Sequence, residues 1–280
     1  MGDMADAPDP IVRVAGLFDA LSATYDAVGV DFFAPIAAGL LAAMPPRPGE
    51  RWLDVGCGRG AVALPVARAV GASGHVTGID ISSGMVEQAR RLATEQGLGN
   101  VDVAVGDARD PQVDGPFDVV ASSLVLFFLP DPAAALRSWL NLLAPGGRLG
   151  VATFGSMDQR WEHVDDVLTP FLPQQLLDAR TSGKAGPFGS DAGMERLVGD
   201  AGYVDVRTVT LDLPVRFADA AQWYAFSWSV AQRGFWLAVP EEQRADVRAE
   251  AERRIASYAD ADGSVTFTQS VRYTLGARPS

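Results

Sequence analysis

One stretch of ten residues, from Arg51 to Gly60, constrains the fold of this chain more than any other. Its sequence is Arg-Trp-Leu-Asp-Val-Gly-Cys-Gly-Arg-Gly. Residues 52–55 predict a short buried strand, the alternate glycines predict a tight turn, and residues 61–70 predict the helix that follows. Backbone N–H groups point outward at the N-terminus of such a helix, and glycine lets a ligand approach closely. The stretch therefore predicts a binding site for a small ligand.

Asp54 is the unusual residue of this stretch, because it lies inside the predicted strand, two residues before Gly56. A carboxylate at the buried end of a strand is costly unless a cation or several donors meet it. It would repel phosphates, and the G-x-G-x-G spacing differs from the G-x-G-x-x-G of dinucleotide-binding loops. Asp54 therefore favours a cationic ligand, such as the α-ammonium of an amino-acid cofactor. The alternatives are a carboxylate that only caps the turn, and an NAD-dependent dehydrogenase.

The segment Leu53-Asp-Val-Gly-Cys-Gly-Arg-Gly60 is similar to the first motif of class I S-adenosylmethionine (SAM)-dependent methyltransferases. The resemblance covers roughly the first half of the chain and points to the small-molecule type that acts in quinone and secondary metabolism. It implies SAM as the cofactor. It also implies an α/β fold with a Rossmann-like, seven-stranded, mostly parallel sheet of order 3-2-1-4-5-7-6, with the last strand antiparallel and helical lid elements.

The alternation of strand and helix patterns supports an α/β fold independently of that resemblance. Further strands are predicted at residues 75–80, 101–105, 117–122, 148–154, 204–213 and 265–275. Further helices are predicted at residues 84–96, 132–143 and 191–200, and over 218–258 in two pieces that break near Pro240. Right-handed crossovers place the carboxyl ends of the parallel strands along one edge, where ligands bind.

Several polar residues fall at the carboxyl ends of these strands. Asp80 lies roughly 20 residues beyond the glycine turn, where an acid that binds ribose is expected. By resemblance, Asp107 and the next backbone N–H contact the adenine edge, and Ser123 faces the cofactor. Each alone is weak evidence, since acids also end strands as turn and cap residues. The predicted cofactor-binding residues are Tyr25, Asp54, Gly56, Gly58, Asp80, Ile81, Met85, Asp107, Ala108 and Ser123.

We predict one domain over residues 1–280, with an N-terminal helical cap at 11–43 and lid insertions at 156–188 and 218–260. The first ten residues are expected to be disordered. The pattern Phe18-Asp…Tyr25-Asp26 resembles the cap of small-molecule methyltransferases, in which the tyrosine closes over the amino-acid end of the cofactor. Packing between helices is an equally good interpretation of Tyr25.

Aromatic residues are concentrated between 223 and 236. They either pack a buried helix on the sheet or line an apolar pocket, where aromatic faces also stabilise cations. The predicted substrate-pocket residues are Trp161, Phe171, Trp223, Tyr224 and Trp228. His163 is the only histidine that we consider as a catalytic base, because His75 precedes the second strand. A surface position is an equally good interpretation of His163.

Composition excludes several classes of function. The chain has 280 residues and a formal net charge of −12, and no cluster of basic residues suits nucleic acid. No apolar run is long enough to span a membrane, and the acidic start is unlike a signal peptide, so we expect a cytoplasmic protein. One cysteine and two histidines cannot build a usual zinc site, so no metal is predicted. Cys57 is interpreted as a packing residue, and the oligomeric state stays open.

These observations predict an enzyme that transfers methyl from SAM to a hydrophobic small molecule, in secondary metabolism. Methylation of a prenyl, terpenoid or aromatic carbon is slightly favoured, because it needs no base and creates a cation that aromatic side chains stabilise. One alternative is an O-methyltransferase with His163 as the base. The other is a SAM-fold protein that binds ligands or promotes cyclisation without transferring methyl.

Overall fold

A computed structural model describes residues 10–173 and 185–280, and these contain a seven-stranded sheet. The strands are β1 (Arg51–Val55), β2 (His75–Asp80), β3 (Val101–Val105), β4 (Phe117–Ser123), β5 (Leu143–Met157), β6 (Val204–Phe217) and β7 (Val265–Ala277). Their order is β3-β2-β1-β4-β5-β7-β6. Strands β1 to β5 pair in parallel, and β7 is antiparallel to both β5 and β6. The predicted fold class, strand order and antiparallel last strand are confirmed.

Helices connect these strands and pack on both faces of the sheet. They are α1 (Pro10–Leu21), α2 (Phe33–Ala43), α3 (Ala63–Val70), α4 (Ser83–Glu95), α5 (Pro132–Leu142), α6 (Gln159–Asp165), α7 (Asp191–Asp200), α8 (Ala220–Ser229), α9 (Arg233–Ala238) and α10 (Arg244–Ala256). None of the helices in the described ranges is long and apolar enough to cross a bilayer.

The central strands are buried on both faces, as the period-2 alternation of side chains requires. Trp52 of β1 packs in the cluster that contains α2 and α3. Leu53, the next residue, packs in the cluster that contains α5 and α7. Because helices cover both faces, Asp54 is also enclosed and is only 2% exposed.

The structure differs from the sequence prediction in β5, β6 and the late helices. Strand β5 begins at Leu143, because this residue pairs with Phe117 before a register shift at the Pro-Gly-Gly segment. Strand β6 continues through Pro214, which is tolerated because β6 is the edge strand and one side of its backbone has no strand partner. The late helical segment has a further break between α8 and α9, which the single proline did not indicate.

Parts of the predictions fall outside the described residues. The disorder expected over the first ten residues concerns mainly 1–9, and the lid expected at 156–188 includes 174–184. The division into one domain over 1–280 stays a prediction.

Candidate active site

A cavity of about 360 Å³ opens at the carboxyl edge of the sheet. Its walls come from the ends of β1, β2 and β4, from the turns that follow β1 and β3, and from α1 and α2. Its volume lies in the range of small-molecule sites. The lining includes all ten residues predicted to bind the cofactor: Tyr25, Asp54, Gly56, Gly58, Asp80, Ile81, Met85, Asp107, Ala108 and Ser123.

Asp80 organises the cavity floor through two backbone contacts. Its Oδ2 accepts a hydrogen bond from the N–H of Gly58 at 2.8 Å, and its Oδ1 accepts one from the N–H of Ser82 at 2.9 Å. Burial raises the pKa of Asp80, and these N–H donors oppose the rise. Each carboxylate oxygen has a second acceptor position. The side chain therefore fixes the glycine turn and keeps acceptor capacity for ligand hydroxyls.

Asp54 is a buried acid whose hydrogen bonding is incomplete. Its Oδ2 accepts a hydrogen bond from the N–H of Ala63 at 3.0 Å. Its Oδ1 is buried and has no hydrogen-bond partner among the described residues. Burial raises the pKa of Asp54 to about 7, with a smaller contribution from the charge of Asp80. A cationic group at the cavity would satisfy the free oxygen and favour the ionised carboxylate.

The turn after β3 is held from two sides. The carboxylate of Asp107 accepts hydrogen bonds from the backbone N–H of Arg109 at 2.8 Å and from its guanidinium at 2.6 Å. The carbonyl of Ala108 accepts a hydrogen bond from Nε1 of the buried Trp139 at 2.7 Å. These contacts fix the position of the turn at the cavity wall.

Four aromatic side chains form an apolar wall on the cap side of the cavity: Phe18, Tyr25, Phe33 and Phe128. The Tyr25 ring stacks on Phe33 with 4.6 Å between centroids, and Phe18 meets Tyr25 and Phe128 edge-on at 5.9 and 5.8 Å. Sequence reasoning missed Phe33 and Phe128 as site residues. The place of Phe128 shortly after β4, a strand that ends at the site, could have indicated it from the sequence.

The predicted substrate-pocket residues lie elsewhere. Trp161 and Trp223 are 3% and 0% exposed inside the core cluster that contains α2 and α3. Phe171, Tyr224 and Trp228 pack against the same cluster, and none of the five lines the cavity. The structure therefore places the aromatic segment in a helical core and not at the cavity.

His163 also lies outside the cavity. It is an exposed residue of α6, and its ring meets the edge of Tyr258 at 6.2 Å. His75, the other histidine, contacts Asp102 with 3.1 Å between Nε2 and Oδ2, and it does not line the cavity either. Within 10–173 and 185–280 no group of three or more histidine, cysteine, aspartate or glutamate side chains is placed to hold a metal.

The sheet order, the acid–glycine turn and the cavity define the class of SAM-binding α/β folds. A family model described as a methyltransferase domain matches residues 46–184. Nocamycin O-methyltransferase from Saccharothrix syringae is 38% identical over 273 residues, which cover 93% of this chain and 96% of that protein. The chain therefore belongs to the methyltransferase family, as an enzyme whose cofactor is SAM.

A second relative agrees with this assignment, and a solved structure agrees with the fold. Aklanonic acid methyltransferase DauC from Streptomyces sp. (strain C5) is 42% identical over 167 residues, covering 59% of this chain and 76% of that protein. A solved structure of phosphoethanolamine N-methyltransferase 2 from Haemonchus contortus, with S-adenosylhomocysteine bound, has the same fold. Its TM-score is 0.59 at 15% identity, covering 96% of this chain and 59% of that one.

Proposed function

We propose that this methyltransferase acts in secondary metabolism and methylates an acidic oxygen, with a carboxylate of a hydrophobic small molecule as the best candidate. The observation that carries the proposal is that neither histidine of the chain lines the cavity. An acceptor that is already an anion needs no base at this site. The likeness to nocamycin O-methyltransferase over 93% of the chain, and to a methyltransferase named for aklanonic acid, supports oxygen and an acid.

The charges and hydrogen-bonding groups of the cavity residues suit SAM. The free Oδ1 of Asp54 suits the α-ammonium group, and the remaining acceptor positions of Asp80 suit the ribose hydroxyls. Met85, Ile81 and the turn of Asp107 suit the adenine. These assignments rest on the buried, unsatisfied carboxylate oxygen more than on any other feature.

Bound SAM would supply a methyl group activated by its sulfonium sulfur for transfer to an acceptor oxygen, with S-adenosylhomocysteine as the other product. The chain itself binds the cofactor and the acceptor, orients them toward each other, and excludes water from the site. Phe18, Phe33 and Phe128 provide an apolar wall that suits a hydrophobic acceptor. Ser123 at the end of β4 adds a hydroxyl to the cavity lining.

Carbon methylation is the competing outcome, since it too needs no base before attack. Its sequence support came from the aromatic segment, and Trp223, Tyr224 and Trp228 do not line the cavity. His163 is exposed and lies outside the cavity, so its position does not support an O-methyltransferase that uses it as the base. All ten residues predicted to bind the cofactor line the cavity, and this does not support a protein that lacks transfer activity.

The test uses the purified protein, SAM with a labelled methyl group, and a panel of aromatic and alicyclic carboxylic acids. The matched controls are the primary amides of the same acids, which have the same shape without the anionic oxygen. We expect label in the acids only, and its release as methanol on alkaline hydrolysis, because a methyl ester is base-labile. Label that resists alkali and appears in the NMR spectrum as a carbon-bound methyl would overturn the proposal.

A further inference from the structure

The chain between α1 and α2, residues 22–32, is here called the cap segment. It lies over one side of the cavity, and Tyr25 and Asp26 in it line the cavity. It contains no helix or strand, and four backbone hydrogen bonds form turns in its first half, with donors at residues 22, 24, 25 and 27. Side chains from other elements add further contacts to this segment and to the end of α1.

Two of those side chains come from the insertion, residues 218–264, which lies between β6 and β7. Gln222 of α8 donates from Nε2 to the carbonyls of Val28 and Gly29 at 3.1 and 3.2 Å. Arg233 of α9 donates from its guanidinium to the carbonyl of Ala20 at 3.2 Å, just before the cap segment. Both contacts join residues about two hundred positions apart in the sequence.

A third contact comes from the glycine turn itself. The Arg59 guanidinium donates a hydrogen bond to the carbonyl of Tyr25. The glycine turn thus holds Tyr25 directly, while the insertion holds the backbone on either side of it, at Ala20 and at Val28 and Gly29. Its stacking on Phe33, at 4.6 Å, carries the same constraint into the first turn of α2.

We propose that Gln222 and Arg233 are positioning residues for the cofactor site, and that the insertion acts through Tyr25 to keep the cap segment closed over bound cofactor. Neither side chain lines the cavity, so neither acts by touching the cofactor. The closed fraction of the cap segment sets the apparent affinity, because a ligand binds less tightly when its binding-competent state is less populated. This inference depends on SAM as cofactor and not on the identity of the acceptor.

Gln222→Glu is the sharpest variant, because it changes only the donor end of the side chain. Gln222 Oε1 accepts a hydrogen bond from the N–H of Ala218, and a glutamate keeps this acceptor. The Nε2 donor is replaced by a carboxylate oxygen, which repels the carbonyls of Val28 and Gly29. We expect the Kd for S-adenosylhomocysteine to rise about tenfold, mainly through faster dissociation, as lost hydrogen bonds of ordinary strength predict.

Arg233→Ala is the second variant, and Arg248→Ala is its matched control. Both arginines lie over an aromatic ring inside the insertion, Arg233 over Trp228 at 5.8 Å and Arg248 over Tyr224 at 4.2 Å. Of the two, only Arg233 also reaches Ala20, in the last turn of α1 just before the cap segment. We expect weaker S-adenosylhomocysteine binding in Arg233→Ala and wild-type binding in Arg248→Ala.

A double-mutant cycle with Tyr25→Ala tests whether the effect passes through this residue. If it does, Gln222→Glu weakens binding in the wild-type background and has little further effect in Tyr25→Ala. Melting temperatures of the ligand-free variants are measured in parallel. A lower melting temperature with unchanged Kd and dissociation rate, or fully additive effects in the cycle, would show that Gln222 only stabilises the fold and would overturn the proposal.

Discussion

The carboxylate of Asp80, at the end of β2, accepts a hydrogen bond from the backbone N–H of Gly58, in the turn after β1, at 2.8 Å. This contact joins two neighbouring strands at the edge where the cavity opens. It orients the glycine turn through a hydrogen bond that the protein itself supplies. A turn held in this way loses less ordering entropy when the cofactor binds.

Asp54→Asn is expected to weaken SAM binding by about 10–100-fold, because a hydrogen bond to a charged group contributes about 1.5–3 kcal/mol. The amide keeps the size of the side chain and removes the charge that is proposed to meet the α-ammonium. Isothermal titration calorimetry with SAM and S-adenosylhomocysteine measures the effect. Asp102→Asn is the control, because this β3 acid is 84% exposed and does not line the cavity. A Kd within twofold of wild type for Asp54→Asn would contradict the assignment.

The affinity for SAM is expected to fall as the pH is lowered below about 7. Burial raises the pKa of Asp54 in the ligand-free protein to about 7. In the proposed binding mode the α-ammonium binds the ionised carboxylate, so each pH unit below this value is expected to weaken binding by up to about tenfold, while the ammonium stays protonated. Titrations from pH 5.5 to 7.5 measure the slope, which should disappear in Asp54→Asn. An equal slope in both proteins would assign the effect to another group.

The same raised pKa has a consequence for the stability of the ligand-free protein. The folded-state pKa of Asp54 lies above its ordinary value, so its favourable contribution to folding is complete below about pH 4 and is lost as pH rises through 7. The free energy of unfolding of wild type relative to Asp54→Asn is therefore expected to decrease between pH 5 and pH 8. Urea unfolding of both proteins at the two pH values checks this. A constant difference would mean that Asp54 is ionised in the fold at both pH values.

Gly56→Ala is expected to be far more damaging than Gly97→Ala. Both glycines have a positive φ, +73° and +67°, so alanine costs about 1–2 kcal/mol in backbone strain at either position. At Gly97 a Cβ meets nothing within 4 Å, whereas at Gly56 it would lie 2.2 Å from Cγ2 of Val125. We expect a larger loss of unfolding free energy and of S-adenosylhomocysteine binding at Gly56, with partial recovery in Gly56→Ala/Val125→Ala. Equal costs at the two glycines would contradict the steric argument.

His163→Ala is expected to keep turnover within about twofold of wild type once an acceptor is known. The side chain is exposed on α6 and does not line the cavity. Loss of a general base typically lowers turnover by about 10²–10⁴-fold. Single-turnover rates of the two proteins at saturating SAM separate these outcomes. A hundredfold loss with unchanged SAM affinity would restore His163 as the base.

The cofactor-binding half of the fold could be predicted because the local strand patterns and the rules of parallel topology agree there. Strands β2 and β3 have the predicted bounds, since β-branched runs between clear turn residues leave little ambiguity. Parallel topology then brings the ends of β1, β2 and β4 together, and the acids at these ends reach one cavity. The position of Asp54 inside a strand had no other physical explanation than a ligand or a cap.

The aromatic segment could not be resolved from sequence, because a helix that packs in a core and a helix that lines a pocket have the same periodicity. Trp223 is fully buried against Trp236, at 6.2 Å between ring centroids. Whether the helix packs in the core or lines a pocket depends on the path of the chain around α2. That path is set by contacts between residues that are distant in the sequence. Phe33 was missed for the same reason, since its place beside Tyr25 follows from the path of residues 22–32 between α1 and α2.

The position of β7 between β5 and β6 has a consequence for synthesis of the chain. Strand β5 pairs with β7 and not with β6. Its outer edge therefore has no partner strand until residues 265–277 have left the ribosome. During that interval an unpaired strand of apolar character is exposed, which is a site for aggregation or chaperone binding. A nascent chain that stops within the insertion therefore has an uncovered β5 edge and a β6 segment without its partner strand.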